Sequence, residues 1–247
     1  MFMSMKVKLS AVVLIFSGVT LFAQENETKQ YPYNGKPVNL LASVRLENAS
    51  FHIYEPPFKA KAIYEKMEEA KCLTPEELVE SIESETNQTW VVQNNMPGKA
   101  NVVSEKAFEY RKKLDKNTNY FELIHKLTFS YNGMPTAIIK YYFVDDGKRT
   151  ILASMVVQEK DGRWFRTSIA GLDHLEEVFR RVKPETLALL FSTQTPEDAS
   201  DFFKKIRKEV KSEQNILDSE KLFGIILQLS KKEKLDDFLM LCDKSNP

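Results

Sequence analysis

Three dipeptides constrain this chain more than any others: Asn132-Gly133, Asp146-Gly147 and Asp161-Gly162. Each supplies the positive φ that a tight hairpin turn requires, and each separates runs rich in Val, Ile, Phe and Tyr. This punctuation predicts four antiparallel strands joined as a meander, near residues 120–131, 135–144, 149–159 and 163–169.

The first turn also predicts a register. If Asn132-Gly133 is a two-residue loop, Tyr131 faces Met134, and counting back places His125 directly opposite Lys140. That pair is a polar island on a face otherwise made by Phe121, Leu123, Leu127, Phe129, Ile138, Tyr142 and Val144. If the next two turns are also two-residue loops, Trp164 and Arg166 join the same face; a three-residue loop would send them to the other side.

Helical patterns flank this block. "LTPEELVESI" has Thr74 to cap, Pro75 at the first helical position and Glu77 to reach back, with Leu78, Val79 and Ile82 on one stripe. "TWVVQNNMPGKANVV" reads as a short extended piece with a Pro-Gly turn, and "SEKAFEYRKKLDK" as a second helix capped by Ser104. After Gly171 the pattern stays helical. Leu172, Leu175, Val178, Phe179 and Val182 form one apolar face, and Pro184 opens a shorter turn. A second Thr-Pro-Glu start, at Thr195, precedes a stripe of Phe202, Phe203, Ile206 and Val210, and Leu222 to Leu229 and Leu235 to Leu241 mark two further helices. The predicted class is therefore α+β: a four-stranded meander packed with preceding helices and followed by an amphipathic helical region.

The beginning of the chain decides its expected compartment. Lys6 and Lys8 precede an apolar run from Leu9 to Phe22 that ends in "LFAQ", the pattern of a secretory signal peptide cut after Ala23. The run is shorter than the roughly 20 residues a membrane-spanning helix needs, and no later segment could span a bilayer. The expected organisation is residues 1–23 as signal peptide, 24–58 as a Pro-punctuated extension with one or two strands, 59–170 as the α+β domain and 171–247 as the helical region. Export would place the mature protein in the periplasm or outside the cell. Removing the signal moves the formal charge from zero to minus two, and no basic stripe offers a footprint for nucleic acid.

Two cysteines, Cys72 and Cys242, leave two readings open. An oxidising compartment permits a disulfide, which on the chain-entropy account could contribute up to about 5 kcal/mol for so long a loop. Each also sits in an amphipathic stretch, where a free thiol is simply a small apolar residue.

Helices followed by an antiparallel meander whose last strand opens "DGRW", with Gly162, Arg163 and Trp164, resembles the cystatin-like cone fold of the nuclear transport factor 2-like superfamily, in its exported bacterial members. The resemblance covers roughly residues 60–170. It implies a cone with a pocket at its mouth. The inhibitory Gln-x-Val-x-Gly hairpin of the cystatins is not matched by "VVQNN" or "VVQEKDG", and no motif assigns the general base that the isomerase and dehydratase members carry. Fold alone does not supply function.

Chemistry has few footholds. Three scattered histidines, with no HExxH and no Cys pair at finger spacing, predict no metal site; no Gly-rich loop or G-x-S-x-G predicts a cofactor or a catalytic serine. The candidate ligand-binding residues are His125, Lys140, Tyr142, Arg166 and Trp164, holding a small polar ligand inside the cone. The structural alternative has His125 bonded to a neighbour and Lys140 extending its amine to the rim. The expected function is a non-catalytic exported protein that binds a ligand or partner. One alternative is an enzyme or small-molecule-binding protein using His125 and Lys140; another is a module that docks on an envelope protein through its C-terminal helices.

Overall fold

The computed structural model describes residues 47–191, 197–211, 218–230 and 235–242. The expected signal peptide and the Thr195 helix start lie outside them. Among the described residues, five strands form one open antiparallel sheet: β1 (Glu47–Ala60), β2 (Tyr120–Tyr131), β3 (Met134–Asp145), β4 (Lys148–Lys160) and β5 (Arg163–Thr167), in sequential order. Between β1 and β2 lie α1 (Pro75–Glu83), α2 (Gln88–Asn94) and α3 (Glu105–Arg111). After β5 come α4 (Asp173–Arg181), α5 (Pro184–Phe191), α6 (Asp201–Val210), α7 (Ser219–Leu229) and α8 (Leu235–Leu241).

The meander follows from its turns. Asn132, Asp146 and Asp161 all have positive φ, as do the glycines that follow them, and each pair closes a two-residue loop: Tyr131 faces Met134, Asp145 faces Lys148, Lys160 faces Arg163. The fifth strand comes from the stretch read as an extension. β1 pairs along β2 as an edge strand and runs through Pro56 and Pro57, where an irregularity between Ile53 and Phe58 takes residues that cannot donate to a ladder.

Helix ends agree with their capping chemistry. The Thr74 side chain accepts from the Glu77 amide at 3.2 Å, and the Glu77 carboxylate reaches one residue past the cap to accept from the Leu73 amide at 2.8 Å. Residues 88–94 form a helix, not the extended piece predicted. Asn87 caps it by accepting from the Trp90 amide, and the indole Nε1 of Trp90 donates to Ser81 Oγ at 2.9 Å, so packing on α1 overrides the β-branched composition.

Helices cover both faces of the sheet and make two cores. On one face Phe51, Leu127, Phe129, Ile138 and Val156 pack with Leu175, Val178 and Phe179 of α4 and with the helices that follow. On the other, Leu123, Ile139, Tyr141 and Val157 pack with Leu78, Val79 and Ile82 of α1. Cys72 belongs to the second core and Cys242 to the first, and both are buried and not joined in a disulfide. The sheet lies between them, so the disulfide reading fails.

Two bulges re-aim side chains. Leu123 pairs with Tyr141 but His125 with Lys140, which makes Ile124 an extra residue in β2. Phe121 and Leu123 therefore face α1, whereas His125, Leu127 and Phe129 face α4; the expected single face is split. In β4, Tyr142 pairs with Leu152 and Val144 with Arg149, so Thr150 and Ile151 together oppose Phe143.

Candidate functional site

The counted register holds: His125 lies opposite Lys140. The environment is a closed core. His125 and Lys140 are both fully buried, and the imidazole lies edge-on to Phe51 and Phe179, with ring centroids 5.4 and 5.0 Å away. Neither ring nitrogen has a hydrogen-bond partner among the described residues. Burial first, then the charge of Lys140, hold the His125 pKa well below its usual 6.5. Lys140 does not reach a rim. Its Nζ donates to the Val182 carbonyl at 2.9 Å, at the C-terminal end of α4, where unpaired carbonyls and the helix dipole both favour a cation.

The other three candidates are dispersed. Tyr142 keeps the Lys140 face but lies half-buried under the Arg149 guanidinium, 4.8 Å from its ring, while Arg149 pairs with Glu122. Trp164 and Arg166 are on the opposite face. Both turns before them are two-residue loops, as the expectation required, but the extra residue in β4 inverts every side chain that follows it. Trp164 packs on the α1 core, and Arg166 donates from Nε to Asn95 Oδ1 at 3.0 Å. Nor is the α6 stripe available for docking. Phe203, Ile206 and Val210 are buried in the core with α7, and Phe202 packs against it.

A different site emerges at the end of the sheet, on the α1 side. A cavity of about 580 Å³ opens between the C-terminal end of α1, the inner side of α3 and the strand ends of β2, β3 and β4. Its apolar walls include Phe121, Phe143 and Val144. Phe121 and Phe143 meet edge-on at a centroid distance of 4.7 Å. Ile151, 62 % exposed, and Tyr110, 61 % exposed, stand at its rim. The β4 bulge is part of this wall, since Thr150 and Ile151 both line the cavity.

Its polar groups converge from α1 and α3. Glu85 is buried and held from two sides: Asn94 Nδ2 donates to Oε1 at 3.1 Å and Arg111 Nη1 to Oε2 at 3.4 Å. Asn94 is itself fixed by Ser81, whose hydroxyl donates to Oδ1 at 3.0 Å. Glu83 accepts no hydrogen bond among the described residues. Loss of solvent raises its pKa from 4.5 to about 7; Arg111 opposes this and Glu85 adds to it. Burial likewise raises Glu85, against the pull of Asn94, Arg166 and Arg111. Tyr64, whose backbone amide donates to Ser84 Oγ at 3.2 Å between the two acids, has its phenol pushed well up by burial and then by Glu80. The site thus combines an aromatic wall with a carboxyl that can change charge near neutrality.

None of Tyr64, Glu83, Glu85 and Arg111 was among the sequence candidates. One signal was present in "VESIESET". Glu80, Glu83 and Glu85 crowd the C-terminal end of a helix with no basic residue in its last turn, against the preference of the helix dipole. Local rules broken in this way tend to mark functional sites. Arg111 and the strand ends become visible only in the assembled fold. No family model, curated protein or solved structure matches the chain.

Proposed function

We propose that this chain is an exported binding protein that takes a small, largely apolar ligand into the cavity between α1, α3 and the sheet end. The observation that carries this reading is the cavity itself. Its volume of about 580 Å³ falls in the usual range of small-molecule sites, about 300–1,000 Å³, and it sets polar groups against an aromatic wall as such sites do. The cystatin-like cone belongs to the same proposal: helices preceding an antiparallel sheet pack on one face and leave a pocket where the sheet ends. Export rests on the signal-like start, with the periplasm or the exterior as destination.

α3 forms the outer wall, anchored by buried Phe108 and by the Arg111–Glu85 pair. Among the described residues no helix is long and apolar enough to cross a membrane.

A thermal-shift screen of small metabolites tests the proposal, comparing wild type with Ile151→Trp. Ile151 is mostly exposed, so the larger side chain fills the cavity mouth without entering a core. Compounds that raise the wild-type Tm are expected to lose that effect in the variant; equal shifts in both would place binding elsewhere.

A further inference from the structure

We propose that the ligand is an apolar amine, an aromatic or aliphatic body bearing one protonated nitrogen, with Glu83 as its counter-ion. This rests on the cavity being the binding site and names the ligand class it selects.

Three features of the cavity select for positive charge. First, Glu83 is the last residue of α1, so its carboxylate stands at the negative end of the helix dipole, with Glu85 two residues on. Nothing in the last turn of α1 offsets them. Second, the cations on the lining are largely committed. Arg111 bonds Glu85, and Lys112 bonds Glu109 at 2.8 Å, outside the cavity. The remaining charged lining residues are Glu65, Glu83 and Asp145 against Lys116. Third, Phe121 and Phe143 line the same cavity as the carboxyl, and an ammonium is attracted to an aromatic face as well as to a carboxylate. Ring faces at this end of the sheet already attract cations: Lys59 Nζ lies 5.1 Å and Lys61 Nζ 5.9 Å from the Tyr120 centroid.

A neutral or anionic ligand of the same shape fits these features worse. A neutral ligand leaves the ionised Glu83 with only Arg111, already bonded to Glu85, to offset the carbonyl end of α1. An anion adds a second negative charge there. An amine restores to Glu83 the kind of favourable interaction with water whose loss raises its hold on the proton.

Isothermal titration of the purified protein at pH 8 with 2-phenylethylamine, 2-phenylethanol and 3-phenylpropionate separates the alternatives. The amine is expected to bind at least about tenfold more tightly than either analogue, and Glu83→Gln is expected to remove that preference, bringing the amine and the alcohol to equal affinity. If the alcohol or the acid binds as well as the amine and Ile151→Trp abolishes that binding, the amine proposal falls and the cavity reading stands. If none of the three binds and the metabolite screen yields no compound sensitive to Ile151→Trp, both fall.

Discussion

Replacing Glu83 by Gln should stabilise the protein, and only above mildly acidic pH. The carboxyl holds its proton up to about pH 7 in the folded chain against an ordinary 4.5. Between those values the folded state binds more protons than the unfolded state, so stability falls as pH rises, and it levels off above about 7. Each pH unit of that interval is worth about 1.4 kcal/mol, so ionised Glu83 costs the empty protein about 3 kcal/mol at pH 8. Water entering through the open rim screens part of this and moves the figure toward about 1 kcal/mol. Gln keeps the shape of the protonated acid and removes the charge. Urea unfolding followed by the fluorescence of buried Trp90 and partly buried Trp164 should give equal stabilities for wild type and variant near pH 4, and a variant more stable by about 1–3 kcal/mol at pH 8. A variant no more stable than wild type at pH 8, or a difference that does not grow between pH 5 and pH 8, would refute a destabilising charge at Glu83.

His125 predicts the opposite limb. Its folded pKa lies well below 6.5, so the unfolded state takes up the proton first and stability falls as pH drops below about 6.5, by about 1.4 kcal/mol per pH unit. His125→Leu should flatten that acid slope, leaving the smaller share of His52, whose pKa is also lowered; Tm measured from pH 5 to pH 8 checks it, and parallel slopes in the two proteins would contradict it. Ellman titration without reductant should find two thiols per chain after unfolding and almost none before. Both cysteines are buried and the Cys72 thiol is pushed up to about 11. A denatured chain without titratable thiol would show that the two sulfurs pair after all.

Local chemistry determined a large part of this molecule. A type I′ turn closes on its own two residues, so Asn132-Gly133 sets the pairing of Tyr131 with Met134, and the count from there reaches His125 and Lys140 correctly. Helix starts at Thr74 and Ser104, and the apolar stripe from Leu172 to Val182, are equally local, and the structure keeps them. Even the crowding of acids at the end of α1 was written in the chain.

What the tertiary structure decided was where these correct pieces face. Strand side chains alternate with a period of two, so one extra residue in β4 carries Trp164 and Arg166 to the far side of the sheet, and Ile124 in β2 parts Phe121 and Leu123 from His125. No dipeptide announces those bulges. Lys140 became a helix cap because α4 ends above it, and the cavity exists because α3 brings Arg111 over strand ends distant in sequence. Register is a local property between bulges; the face a residue presents, and the company it keeps there, depend on every insertion before it and on which helix arrives to cover it.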